Sequence, residues 1–461
     1  MAKKSVVLTI SIWDNQVRLA LITKTMATLS SKVFNLNVEA DLFGIRTIDP
    51  FEIVYFIRTG IQQLRALNDV LIDSIGVTIM PGYLMLWDHV KCTPVGRMYV
   101  PNNGLKSLAL QEFKFSEFSS IYNSNKAATS LSTPNLSLNL WLLAKNNVKG
   151  FGDQLIISGI DSWLAYLFSG YDDQSLCTTP GMMQELLIND STWDVGMLST
   201  INLNEQMFPR LVGGIKLKTK NFFPLDDGVS IDYIESSNEL LSKMLEQYSL
   251  DSVAFVQLSH INHIYFNRLQ LSGGGQDAWV RFSGLSSLQT SLGLIESLSC
   301  PDLSLSHIQN ELLVSMDPFQ SFFDQTYHFL NMTNLNSETL ARVGMLNTLF
   351  LIKYLVTNFE KKARSGHIKT MLFSSSDWPL STLQLCVDIC QLDGVQFKIA
   401  EWLDMIHINK YCLQNVFFSA TEQQSIFKVK SKIIPSLDPL SCYSLYQPWE
   451  DWFNKLYDFR Y

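Results

Sequence analysis

The stretch "SVVLTISIWDNQVRLALITK", Ser5 to Lys24, sets two apolar runs around Trp13-Asp14-Asn15-Gln16. Two such runs have the shape of a phosphate-binding hairpin, whose tip must bring backbone N–H groups close to the anion, and glycine is what permits that approach. This tip has none. Asp14-Asn15 is a good turn pair, because both residues tolerate left-handed backbone and hydrogen-bond locally. The residues alone therefore read as an ordinary tight turn with Trp13 filling a gap. In "SHINHIY", His260 and His263 stand three apart, a spacing that shares one helical face and binds zinc only where further ligands converge. No cysteine or acid cluster follows at the usual spacing. Cys386 and Cys390 in "CVDIC", one helical turn apart, read as buried small apolar side chains. The "SGGGQD" triplet, Gly273 to Asp277, lacks the Lys-Ser or Lys-Thr of a P-loop and reads as a hairpin turn. Asp161 in "GIDSWL" is expected near a helix start, where a carboxylate suits the macrodipole.

These residues need elements to hold them. "IDPFEIVYFIRTGIQQLRALNDV" spaces apolar residues at helical intervals, with Asp49 as N-cap and Pro50 at the first helical position. "IDSIGVTIMPGYLMLWD" reads as strand, Pro-Gly turn, strand. Strands, helix, strand in that order make an α/β domain. Between Tyr99 and Gly150 the abundance of Asn, Ser and Thr predicts loops and short helices. "DQLIISGIDSWLAYLFSG" then has helical periodicity up to Gly170, and "LKTKNFFPLDDGVSIDYIESSNELLSKMLEQYSL" combines a Pro-Asp-Asp-Gly turn with the start of a helix. "DSVAFVQLS", "DAWVRFSG" and "TMLFSSS" are short strands beside strong helices, so the second half repeats the α/β character without repeating the sequence.

At 461 residues the chain exceeds one ordinary core, which predicts two domains, with three as the alternative, and the turn-to-helix stretch sets the boundary, giving 1–245 and 246–461. With 47% hydrophobic and 17% charged residues it is a packed globular protein. A net charge of -8 gives no electrostatic case for nucleic acid or an anionic membrane. The densest basic segment, "EKKARSGHIK", reads as a solvated helix end with Gly366 as its C-cap. Seven cysteines scattered over the chain suit a reducing cytoplasm better than a disulfide framework. The N-terminal apolar stretch alternates and reaches Asp14 before any cleavage site, so neither a signal peptide nor a spanning helix is expected. "GMLNTLFLIKYLVTNF", interrupted by Asn347 and Lys353, reads as a core helix.

Several of these pieces, in this order, resemble the FGGY carbohydrate kinase family, which contains glycerol, xylulose, gluconate and ribulose kinases. "IDSWLAYLFSG" looks like the family's helix ending in a Leu-Thr-Gly turn. "INDSTWDVGMLSTINLNEQMFPRLVGG" is similar to its Trp, helix, apolar-Asn step and Leu-Pro-x-Val. "TLQLCVDIC" matches its Gln-x-x-Ala-Asp helix through Gln384 and Asp388, "LDGVQF" stands at a strand entry, and "CYSLYQPWEDWFNKLYDF" resembles its closing aromatic helix. The likeness runs over almost the full chain. It implies an α/β fold of two actin-like, ribonuclease-H-like domains, the first on the sugar side and the second on the nucleotide side, with an interdomain cleft.

The family's site residues do not follow the fold. Aligned with its first hairpin, Gly-x-Asp-x-Gly-Thr-x-Ser-x-Arg, this chain has Thr9 at the first glycine, Ser11 at the aspartate and Trp13 at the second glycine; only Arg18 keeps its identity. At the catalytic aspartate "FVQLSHIN" offers His260, or Ser259 beside it, and a neutral imidazole can serve as a general base near neutral pH. The second phosphate loop reads "RFSGLSS", with Gly284 and Ser286 as remnants. The adenosine-binding glycines are replaced by Ser374, Ser375 and Ser376, whose side chains fill space that glycine leaves open. The sugar-binding Trp-x-Asp-x-Arg falls near "MYVPNN", without the acid or the base, and late in the chain only Glu401 survives from a Glu-and-small-residue helix start.

Phosphoryl transfer needs magnesium held by carboxylates, amides around the phosphates and a positioned base. With these lost together, the resemblance implies a degenerate pseudokinase with a binding or regulatory role, requiring no cofactor. The alternative is an active sugar or polyol kinase using ATP and magnesium, with His260 as base and Arg18 and the Gly284 loop near the phosphates. Expected partners are a small sugar or polyol in the cleft, and a protein partner or a second copy of the chain.

Overall fold

The computed structural model describes residues 4–13, 15–42, 45–101, 112–125, 135–146, 152, 154–188, 192–220, 222–240, 253–257, 262–266, 278–282, 313–316, 327–330, 337–362, 368–374, 380–397 and 429–457. They fall into two compact units, one reaching Leu240 and one starting at Val253. The boundary expected at 245 lies outside the described residues.

The first unit is built on a six-stranded sheet. Its strands are β1 (Lys4–Trp13), β2 (Gln16–Thr23), β3 (Thr28–Asn35), β4 (Val70–Ile79), β7 (Ile215–Lys218) and β8 (Ser230–Ser236), in the order β7-β8-β4-β1-β2-β3. β1 is antiparallel to β2 and parallel to β4, and Val6, Val7, Leu8, Ile10 and Ile12 are fully buried. Apolar residues on both faces are what a central strand covered on each side requires. Helix α1 (Pro50–Leu67) starts as expected: the Asp49 carboxylate accepts from the Phe51 N–H at 2.9 Å and Pro50 occupies the first turn. Its buried stripe, Ile53, Ile57, Ile61 and Leu64, faces the sheet, and Phe56 stacks on Phe34 of β3 with centroids 4.9 Å apart.

The Pro-Gly turn after β4 leads into β5 (Met85–Asp88), as the sequence predicts. Helices α2 (Glu117–Asn125) and α3 (Asn135–Asn146) occupy the Asn/Ser-rich region. One segment differs from expectation. "LIIS" is not helical; it is strand β6 (Leu155–Ser158), antiparallel to β5, and helix α4 (Ile160–Phe168) begins only after Gly159. Gly170, at φ 69°, closes that helix turn as expected. "SIDYIES" is strand β8, which pairs with β7 across a turn holding Gly228 at φ 80°, and the helix start expected in this stretch falls at Ser237.

Gly76 sits in β4 between Thr9 of β1 and Tyr233 of β8, and a Cβ added there would lie 2.4 Å from the phenol ring of Tyr233. The ring covers the glycine, a pairing that supplies the side-chain contact glycine lacks. Gly76→Ala is expected to cost roughly 1–3 kcal/mol through overpacking. In urea titrations, Gly76→Ala combined with Tyr233→Ala should cost less than the sum of the two single changes. Additive costs would mean the ring is not the obstacle.

The second unit repeats the plan without the sequence. Its strands β9 (Val253–Gln257), β10 (Asn262–Phe266), β11 (Ala278–Phe282), β12 (Thr370–Ser374), β13 (Asp393–Phe397) and β14 (Val429–Ile433) lie in the order β11-β10-β9-β12-β13-β14. As in the first unit, the first strand is central, an antiparallel meander lies on one side, and parallel strands followed by an antiparallel edge lie on the other. Helices α5 (Ser337–Lys362), α6 (Leu380–Cys390) and α7 (Pro439–Tyr457) complete it, and their apolar residues form one core with β9 and β12. The "GMLNTLFLIKYLVTNF" stretch is thus a core helix. Asn347 accepts from the Trp449 indole, and Lys353 donates to the Cys390 carbonyl at 3.3 Å. Cys386 and Cys390 are buried, as expected. His263 lies in β10, so the helical spacing read for His260 and His263 does not apply. Gly273 to Asp277 and Gly366 are outside the described residues. Among the described residues no helix is long and apolar enough to cross a membrane.

Candidate functional site

In the first unit the chemistry-bearing residues gather at the carboxyl ends of the parallel strands. Ser11 of β1 is in register with Arg18 of β2 and with Thr78 of β4, and Thr78 in turn with Glu235 of β8. Residues in register on neighbouring strands point to the same face, about 4.8 Å apart. Arg18, Ser11, Thr78 and Glu235 therefore form one row across four strands. The next row on that face is Ala20, Thr9, Gly76 and Tyr233, whereas the opposite face presents Leu19, Ile10, Val77 and Ile234. α1 packs on the apolar face, where a Cβ on Gly60 would meet Leu19 at 2.7 Å.

Ser11, Thr78 and Glu235 are buried and Arg18 is half-buried. The Arg18 guanidinium donates from Nε and Nη2 to Gln16 Oε1 at 3.0 and 2.6 Å, and Gln16 Nε2 donates to Asn35 Oδ1 at 2.9 Å. Trp13 and Gln16 close the hairpin around two residues. Trp13 is 7% exposed, and the Asn15 carbonyl accepts from the Leu36 N–H at 2.8 Å. Asp14 is outside the described residues. The hairpin tip is thus a tight turn with its tryptophan packed inward, as the residues alone suggested. Its row carries two hydroxyls, a guanidinium and one carboxylate, which can exchange hydrogen bonds with a polar group. Sequence reasoning missed Glu235, because the stretch that holds it reads only as a turn and the start of a helix, with no strand singled out. Period-two alternation ending in an acid was the available signal.

In the second unit, His260 at the β9–β10 tip, Gly284 and Ser286 after β11, and Ser375 after β12 lie outside the described residues, as do Ser376 and Glu401. Ser374 ends β12. The backbone shows where these segments emerge. Gln257 is paired with His263 in β10 and with Ser374 in β12, and Asn262 is paired with Phe282, the last residue of β11. The tip carrying His260, the exit towards Gly284 and Ser286, and the exit towards Ser375 therefore start at one edge of the sheet. The carboxyl ends of parallel β9 and β12 open there, the edge at which open α/β sheets take ligands.

Two matched motif residues have structural work. Asp388 is 2% exposed and accepts from Gln384 Nε2 at 3.1 Å and from the Ser436 and Leu437 N–H groups at 2.5 and 3.2 Å, which ties α6 to the chain entering α7. Gln384 also donates to the Ile434 carbonyl at 2.8 Å. Near the first turn of α4, Asp161 is fully buried; its Oδ2 accepts from Thr178 Oγ1 at 2.6 Å, and its Oδ1 makes no hydrogen bond. Burial pushes its pKa up to about 6, against the opposing pull of the Thr178 hydroxyl and nearby backbone N–H groups. At the sugar position implied by the resemblance, Met98, Tyr99 and Val100 are buried, and the Tyr99 hydroxyl and the Val100 carbonyl accept from Asn146 and Asn139, each at 2.9 Å. Asn102 and Asn103 are outside the described residues. Among the described residues no group of three or more His, Cys, Asp or Glu gathers to hold a metal.

Neither a protein-family model nor a curated protein matches the chain. Solved structures do match it from end to end. A ligand-bound xylulose kinase from Lactobacillus acidophilus superposes with a TM-score of 0.73 at 13% identity, with 98% of each chain covered. A glycerol kinase from Plasmodium falciparum, solved with ADP, gives 0.69 at 14% identity with 99% of each chain covered. A gluconate kinase from Lactobacillus acidophilus gives 0.71 at 13% with 98% of each chain covered. The duplicated α/β plan and these full-length superpositions identify the fold as that of the two-domain, actin-like carbohydrate kinases.

Proposed function

We propose that this chain is a carbohydrate kinase-like protein that binds a small sugar or polyol, or a protein partner, and does not transfer phosphate from ATP. The observation that carries the reading is Ser11. It stands at the carboxyl end of the central strand, in register with Thr78, at the position where the resemblance implies an aspartate. A hydroxyl there cannot supply the carboxylate that a magnesium-bound phosphate needs. The glycine-free tip with Trp13 packed inward and the serines in place of adenosine-binding glycines support the same reading. The unbridged Cys92, Cys177, Cys386, Cys390 and Cys442 suit a reducing cytoplasm.

A second reading, an active kinase with His260 as base and Arg18 and the Gly284 loop near the phosphates, is favoured by the pairing of Gln257 with both His263 and Ser374. That pairing starts the relevant segments at one sheet edge. The two readings separate in a thermal-shift titration with ATP, with and without magnesium, followed by an assay with glycerol, xylulose and gluconate, after which the structural neighbours are named. A ligand held only by the folded state raises stability by about 2.7 kcal/mol at one hundred times its Kd. The expected result is no magnesium-dependent shift and no ADP formed. A magnesium-dependent shift accompanied by turnover would establish the second reading instead.

A further inference from the structure

We propose that Asn139 is a positioning residue for the sugar side of the first unit, an inference that rests on the sugar- or polyol-binding reading above. Helix α3 buries Leu136, Leu138, Leu140, Leu142 and Leu143, and Asn139 stands among them fully buried. Asparagine is a poor helix former and its amide is costly to bury, so in this apolar run it needs a bonding role. It has one. Nδ2 carries two protons and donates to the Gly82 and Val100 carbonyls, each at 2.9 Å. Neither carbonyl belongs to a strand: Gly82, at φ 105°, lies in the turn that leaves β4, and Val100 follows the short Met98–Tyr99 strand.

The two segments that this amide joins start from the candidate site. β4 carries Thr78 of the polar row, and two residues later the Met80 N–H donates to the Ile12 carbonyl at 2.9 Å, near the end of β1. The turn held by Asn139 therefore begins where the row ends. Met98 to Val100 is the stretch at which the resemblance implies sugar contacts. Leu84, just past the turn, is joined to it by a reciprocal pair: its N–H donates to the Tyr99 carbonyl at 3.1 Å and its carbonyl accepts from the Tyr99 N–H at 2.9 Å. Asn146, seven residues after Asn139 and so on the same face of α3, donates to the Tyr99 hydroxyl at 2.9 Å. Asn139 fixes the spacing between the β4 exit and the Met98–Val100 segment, and acts on a ligand through them.

Asn139→Leu removes both donors and leaves two buried carbonyls unpaired. Asn139→Ala is the milder variant, because it makes room for a water that can serve both carbonyls without fixing their separation. In either variant of the full chain, hydrogen exchange at Leu84 and Tyr99 is expected to rise at least about tenfold more than at the amides of β1. Isothermal titration with glycerol, xylulose and gluconate, at a temperature where parent and variant are folded, is the second readout. Whichever compound the parent binds should bind the variants at least about tenfold more weakly. Leu64→Ala, in the buried stripe of α1, is the control: it lowers the melting temperature and leaves the dissociation constant of the folded protein unchanged. An unchanged dissociation constant in the Asn139 variants, or exchange that rises equally in β1, would overturn the proposal and leave the sugar-binding reading standing. A parent that binds none of the three compounds would overturn that reading and the proposal with it.

Discussion

Trp449→Ala is expected to destabilise the second unit by about 3–5 kcal/mol, and the loss follows from where the side chain sits. Trp449 of α7 is fully buried, and its ring meets Phe350 and Tyr354 of α5 at centroid distances of 5.6 and 6.4 Å and Tyr446 at 5.8 Å. Its indole N–H donates to Asn347 Oδ1 at 3.0 Å, and Asn347 Nδ2 makes no hydrogen bond. Removing the indole therefore opens a cavity among rings and also strands a buried amide. Two further variants separate the effects. Trp449→Phe keeps most of the ring packing and loses the donor, so it should cost less than Trp449→Ala. Adding Asn347→Leu to Trp449→Phe removes the stranded amide and should restore part of that loss. Urea denaturation followed by α-helical circular dichroism reads all three. A Trp449→Ala protein within about 1 kcal/mol of the parent would mean that α7 is not anchored through this ring.

The two units together show why the fold was readable and much of the site was not. α7 was legible as an aromatic helix, and α1 through Asp49-Pro50, because caps and periodicity are written within a few consecutive residues. β6 was lost because "LIIS" is a short apolar run next to a helical one, and periodicity cannot tell a four-residue strand from a buried helix segment. The order of weak motifs pointed to the fold because each motif sits on its own element. Gln384 and Asp388 illustrate this: they stand out in sequence and turn out to fasten α6 to the chain before α7. The row of Arg18, Ser11, Thr78 and Glu235 is a matter of register among strands far apart in the chain. A bulge between Ile231 and Tyr233 helps to set that register. No local pattern records it. Arg18 and Ser11 were found because the resemblance reached them, and Glu235 was not.

Asp161→Asn is expected to stabilise the first unit at neutral pH and to remove part of its pH dependence. In the unfolded chain this carboxyl titrates near 3.8, and in the folded protein near 6. Between those values the folded state keeps the proton and the unfolded state releases it, so stability falls as pH rises through this window and stays lower above it. The gap between those two values corresponds to about 3 kcal/mol. The amide carries no charge to bury, keeps an oxygen for Thr178 Oγ1, and offers an N–H₂ where Oδ1 now makes no hydrogen bond. Gly159 leaves the room, since a Cβ there would lie 2.4 Å from Asp161 Oδ1. The measurement is the difference in unfolding free energy between variant and parent from pH 4 to pH 7, which cancels the titration of every other group. The difference should grow in favour of Asp161→Asn up to about pH 6 and then level off; a flat difference would mean that the carboxyl does not carry the burial penalty. Asp161→Ala cannot replace this variant, because it would leave Thr178 Oγ1 unpaired in the core and add a loss that does not depend on pH.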